Sequence, residues 1–184
     1  MAKAKKSKKK SPLKKQKQTK KKKVTVKRKQ KISAIPKGYN SITPYLIVNA
    51  AKEAIQFYKT AFAAKEAMRM EGKQGKVMHA ELKIGDAKIM LADEFPEMNA
   101  HAPAKFGGSP VSIHLYVKDV DKTVDKAIAA GAKVIRPIEN MFYGDRCGTL
   151  EDPYGHKWHV STHIENVTPA KMKKRMAEWS EKKI

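Results

Sequence analysis

The segment VSIHLYV at residues 111–117 repeats ITPYLIV at residues 42–48, at an offset of 69 residues. Each is followed by apolar side chains at helical spacing. In 51–62 these are Ala54, Ile55, Tyr58 and Phe62; in 119–132 they are Val120, Val124, Ala127 and Ile128. Further on, DAKIML (86–91) and GHKWHV (155–160) align at the same offset. The order in each half is strand, helix, then three strands. The later strands fall at 65–71, 76–84 and 87–92 in the first half, and at 133–138, 143–151 and 156–163 in the second. Turn chemistry sits between them, at Gly85-Asp86 and at Asp152-Pro153-Tyr154-Gly155. Gly131 is a helix C-cap. The pattern predicts an α+β fold of two βαβββ modules.

Modules at 40–94 and 109–164 leave a linker at 95–108, rich in proline and glycine, within a domain spanning 35–166. Thr168-Pro169 reads as an N-cap followed by proline at N1. It opens a C-terminal helix within 167–184, where Met172, Met176 and Trp179 are expected to pack on the body or on a second subunit.

Strand alternation separates two faces. Leu46 and Val48, Ile113 and Leu115, and Trp158 and Val160 form one set, suited to packing against helices. The other set carries Thr43 and Tyr45, Ser112, His114 and Tyr116, and His159, Ser161 and His163. A solvent-facing sheet would carry Lys and Glu there, so hydroxyls, phenols and imidazoles point to a lined, partly dry cavity. The alternative is an exposed sheet face with incidental histidines.

Charge divides the chain differently. The formal net charge is +22, yet residues 1–31 hold 17 basic and no acidic residues, while 32–170 hold 17 basic against 16 acidic. The first 34 residues are expected to be a disordered Lys-rich arm, since they cannot bury enough apolar surface to offset ordering. Such a coil reaches ~30 Å. Lys20, Lys21, Lys22, Lys23, Lys27, Arg28 and Lys29 form its densest cluster. Without aromatic residues and with a single guanidinium, it suits non-specific association with nucleic-acid phosphates rather than sequence readout. A nuclear import signal and a solubilising tail are the other readings. No membrane association is expected, because no run of 18 apolar residues occurs and no apolar segment follows the basic arm. Cys147 is the single cysteine, which excludes an internal disulfide and suits a reducing, cytoplasmic location, with nucleoid or nuclear association through the arm.

The stretches ITPYLIV, EAIQFYKTAF, MHAELKIGDAKIMLADE, GGSPVSIHLYVKDVD, AGAKVIRP and YGDRCGTLEDPYGHKWHVSTHIENVTPAKMKKRM cover about 40–176. Together they resemble the vicinal oxygen chelate superfamily, which includes glyoxalase I, bleomycin- and fosfomycin-resistance proteins and extradiol dioxygenases, and its PhnB-like branch in particular. The resemblance implies a glyoxalase-like barrel or U-shaped sheet enclosing a small-molecule site, and a homodimer, with or without exchange of modules. It embraces both enzymes and drug-sequestering binding proteins. Metal-dependent members draw four ligands from the first and fourth strands of each module, positions that fall here on Thr43, Met90, Ser112 and His159. Only the last suits a divalent metal, so neither a metal nor another cofactor is expected, and glyoxalase I activity is not. If a divalent metal binds, its candidate ligands are His159, His114, His79 and Glu81. His159 and His114 are the candidate catalytic acid or base; Thr43, Tyr45, Met90, Ser112, Arg146 and Ser161 are the candidate ligand-binding residues. Arg146 has a structural alternative, pairing with Asp145 or Glu151.

Overall fold

The computed structural model describes Met1 and residues 32–183. Contacts divide the chain into Met1–Ser33 and Ala34–Ile184. The Lys-rich arm, with Lys20 to Lys23 and Lys27 to Lys29, lies outside the described residues.

The first module runs β1 (Tyr45–Val48), α1 (Ala51–Phe62), β2 (Lys65–Glu71), β3 (Val77–Ile84) and β4 (Ala87–Asp93). The second runs β5 (Ser112–Tyr116), α2 (Val120–Ala129), β6 (Lys133–Asn140), β7 (Asp145–Glu151) and β8 (Lys157–His163), before α3 (Pro169–Lys183). Each module forms its own four-stranded mixed sheet, ordered β1-β4-β3-β2 and β5-β8-β7-β6, so β1 and β5 are edge strands. The fold is α+β, as the repeat predicts. β1 begins at Tyr45 rather than Ile42 because Pro44 has no N–H to donate to the ladder. Its carbonyl still accepts from Met90 N–H (2.8 Å).

The repeat persists in hydrogen bonding. Asp93, at the end of β4, accepts from Ala51 N–H at the start of α1 (2.7 Å). Sixty-nine residues on, Thr162 Oγ1 accepts from Val120 N–H at the start of α2 (2.9 Å). Each module thus uses its last strand to satisfy an orphan donor at its helix N-terminus. Asp93 also takes Val77 N–H (2.7 Å).

The core lies between sheets and helices and runs continuously through both modules, including Ile55, Tyr58, Leu82, Leu91, Leu150, Trp158 and Val160. Phe62 meets Trp158 with ring centroids 4.7 Å apart. At this junction the Asp152 turn, which the sequence marked only as a turn, ties the modules together. The Asp152 residue is 3% exposed. One oxygen of its carboxylate accepts from Tyr58 Oη (2.7 Å) and Trp158 Nε1 (2.9 Å). The other accepts from the N–H groups of Tyr154 (3.0 Å) and His156 (2.9 Å). His156 Nε2 then donates to the carbonyl of Ile47 (3.1 Å), covering part of the free edge of β1.

α3 is tethered by its ends. Thr168 caps it, Arg175 and Lys171 pair with Glu165, and Trp179 lies 5.6 Å from the Phe142 ring. Met176, expected to pack, is exposed instead, because the helix touches the body mainly near Phe142. Gly144 makes the preceding turn possible, with φ +99° and a carbonyl accepting from Ile164 and Glu165 N–H (2.9 and 3.0 Å). A Cβ there would stand 2.1 Å from Glu165 O. Among the described residues, no helix is long and apolar enough to cross a membrane.

Candidate functional site

Four side chains stand abreast across the second sheet. His114 on β5 is in register with His159 on β8, His159 with Thr149 on β7, and Thr149 with Arg136 on β6. Alternation puts His114 and His159 on the face away from the helices, because Ile113 and Trp158 point into the core. The two imidazole centroids are 5.9 Å apart. Thr149, itself buried, shares a hydrogen bond with His159 Nδ1 (2.9 Å) and so fixes that ring. Nε2 of His159 has no hydrogen-bond partner among the described residues. When Thr149 accepts from Nδ1–H, Nε2 is left with its lone pair free; when the hydroxyl donates, Nε2 carries the proton. Burial lowers the His159 pKa, and the charges of His114 and Arg136 lower it further. A neutral imidazole able to take or give a proton follows.

A cavity of about 220 Å³ opens beside this row, lined by His114, Arg136, Glu139, Tyr143, Cys147 and His159 among others. A second cleft, of about 710 Å³, runs between the two edge strands, where Tyr45 and Ile47 face Ser112 and His114. His114 borders both. Tyr45 and His114 are equivalent in the 69-residue repeat, and the fold places both on this cleft.

On the first sheet the corresponding row is Tyr45, Met90, Glu81 and Met68. Tyr45 Oη and His79 Nδ1 are 3.1 Å apart. Glu81 is buried and receives Lys88 Nζ (2.9 Å), whose ammonium also sits 3.8 Å over the Tyr39 ring. Tyr39 first, then Lys88, hold the Glu81 carboxyl below its usual range. That carboxylate is committed to its neighbours.

The other candidate residues fare unequally. Arg146 points to α2, where its fork takes both carboxylate oxygens of Asp121 (2.8 and 2.6 Å) and Asn140 Oδ1 (3.1 Å). The carboxylate it pairs with is that of Asp121, not of Asp145 or Glu151. Arg136 is the cation of the histidine face instead. Sequence reasoning passed over it because β6 carries register irregularities on both sides of Arg136, which destroy the alternation. Ser161 is fully buried with no hydrogen-bond partner among the described residues. Ser112 lines the inter-strand cleft but is in register with Lys157. Thr43 precedes β1 and donates to Asn40 O (3.4 Å).

Residues 38–160 match the model of the Glyoxalase/Bleomycin resistance protein/Dioxygenase superfamily. The chain belongs to that superfamily. An uncharacterised protein of Mycobacterium tuberculosis is 41% identical over 130 residues, which cover 69% of this chain and 76% of that protein. The structure of a gene product from Arabidopsis thaliana is similar at a TM-score of 0.55 and 29% identity, covering 67% of this chain and 98% of that one. PhnB protein from Bacillus cereus is similar in fold, with a TM-score of 0.51 and 19% identity over 67% of this chain and 99% of that one.

Within this superfamily member the donors for a metal do not fit one. Of the four positions, Thr43, Met90 and Ser112 supply two hydroxyls and a thioether, and only His159 supplies an imidazole. The alternative donors are split, His79 and Glu81 on the first sheet and His114 and His159 on the second. Among the described residues, no group of three or more His, Cys, Asp or Glu is placed to hold a metal ion.

A further polar network closes the end of the second sheet. Buried Asp145 accepts from Tyr116 Oη (2.8 Å) and bonds His163 Nδ1 (2.6 Å), while His163 Nε2 meets Asn166 Oδ1 (3.0 Å). The Asp145 carboxylate, then Asn166, raise the His163 pKa. Ring NMR should therefore show His163 titrating above about 6.5 and His159 below it. The linkage signs are opposite. His163 stabilises fully below the unfolded-state value, and that contribution is lost as pH rises through its folded value. His159 resists its proton, so stability is lost as pH falls below about 6.5. Reversed order of titration would contradict this geometry.

Proposed function

We propose that the protein binds a small anionic molecule against the second sheet, with Arg136 meeting its negative charge and His159 exchanging a proton with it. The observation that supports this is the row His114, His159, Thr149 and Arg136. It joins a neutral, oriented imidazole, a neighbouring imidazole and a guanidinium beside one cavity. Thr149 holds the His159 ring in place, burial and then the charges of His114 and Arg136 keep that ring neutral, and Tyr45 lines the adjoining cleft where a hydroxyl can orient the remainder of the ligand. This matches the superfamily's use of paired modules around a small-molecule site, without a metal-dependent step.

The test is a panel of small carboxylates and phosphonates, read by thermal shift and by histidine ring NMR. A binding member should move the His114 and His159 resonances, and Arg136→Ala should weaken it about tenfold, the loss of one charge-assisted contact. His159→Gln should retain binding and abolish turnover of any member that the wild type transforms. Ligands that bind while leaving both histidine resonances unmoved would sink the proposal.

A further inference from the structure

A larger cleft, of about 1080 Å³, adjoins the histidine row at Tyr116 and lies between the end of α1, the β3–β4 turn, the end of β5 and α2. Four lysines line it: Lys65 and Lys83 from the first module, Lys118 and Lys126 from the second. No aspartate or glutamate lines it among the described residues, and Asp86, next to the lining Gly85, is not part of the wall. Among the described residues none of the four lysines forms an ion pair, although Lys52, Lys59, Lys88 and Lys122 elsewhere on the body all do. Lys65 and Lys83 are also direct cross-strand partners. Like charges in that position are destabilising and invite a counter-charge. The last carbonyls of α1 supply only partial negative charge. His163 borders the cleft with its Nδ1 bonded to Asp145.

The floor is apolar, with Phe62, Ile84, Leu115 and Val117, and with the exposed Tyr116 ring held by its bond to Asp145. A single small anion cannot meet four cations spread over two modules, and it would leave this floor wet. We infer that the cleft binds an organic molecule carrying two or more phosphate groups and a planar apolar part, the chemistry of a nucleoside di- or triphosphate. Its volume is that of a site for such a ligand. Tyr116 on the floor lies 4.7 Å from the His114 ring, yet the cleft and the histidine cavity share no lining residue, so the inference does not depend on the function proposed there.

The experiment is calorimetric titration of the full-length chain with ATP, tripolyphosphate, adenosine and a single-stranded oligonucleotide. The basic arm attracts any polyanion, so the decisive comparison holds net charge constant. Lys83→Ala with Lys126→Ala should weaken ATP at least about tenfold, whereas Lys73→Ala with Lys105→Ala, which removes the same charge elsewhere, should not. All four are exposed, so the fold should persist. ATP should bind more tightly than either tripolyphosphate or adenosine, and His159→Ala should leave ATP binding unchanged. Equal losses in the two double variants would overturn the site. Tripolyphosphate as tight as ATP would overturn the role of the floor, and an oligonucleotide weakened by Lys83→Ala with Lys126→Ala as much as ATP is would overturn the choice of ligand.

Discussion

Asp152→Ala should destabilise the domain by about 4 kcal/mol, since it strands several buried donors at once, each costing about 1–3 kcal/mol when unpaired. The donors are Tyr58 Oη, Trp158 Nε1 and two backbone N–H groups, all converging on one carboxylate that is almost wholly buried. Tyr58 stays protonated and donating, because burial, followed by the Asp152 charge, raises its pKa well above the ordinary value. The loss falls on the junction between modules, so the His156 contact to Ile47 should loosen with it. Urea unfolding followed by circular dichroism measures the effect. Asp152→Ala and Tyr58→Phe should also couple in a double-mutant cycle, as residues in one network do. A loss below about 1 kcal/mol, typical of an ordinary surface change, would remove Asp152 from this role.

Deleting residues 1–34 is expected to have the largest effect on binding to nucleic acid. The arm carries 17 cationic side chains and no anionic one, against near-neutrality in 32–170. Each phosphate neutralised releases condensed counterions. With 6–10 such contacts, affinity of the full chain for duplex DNA should fall by about 10³–10⁵ between 50 and 200 mM salt. The truncated chain should show the circular dichroism and melting of a folded domain and no measurable duplex binding. Equal binding by the truncated chain would refute the arm as the nucleic-acid partner site.

Local patterning made much of the architecture legible. The apolar spacing of α1 and α2, the turn residues at Gly85 and Asp152, and the 69-residue offset are all short-range properties, and the structure realises each as an element or a turn. His114 and His159 could be named because regular alternation on β5 and β8 exposes them on one face. Arg136 could not, since irregular pairing along β6 breaks that alternation. The partner of Arg146 was not legible, because β7 places it toward α2, where a bidentate partner 25 residues earlier in the chain holds it. Ser161 shares a face with His159, yet other parts of the chain cover it completely.

The division follows from the range of the forces. Propensity, periodicity and net charge act over a few residues or sum over the chain, so the amino-acid sequence alone determined two βαβββ modules, a capped C-terminal helix and a basic arm distinct from a neutral body. Whether a polar side chain is free to meet a ligand depends on groups distant in sequence. Only the tertiary structure decided that Asp152 joins the modules, that Arg136 rather than Arg146 accompanies His159, and that four lysines from two modules share one cleft. Those outcomes rest on strand register and packing between modules, which no local pattern encodes.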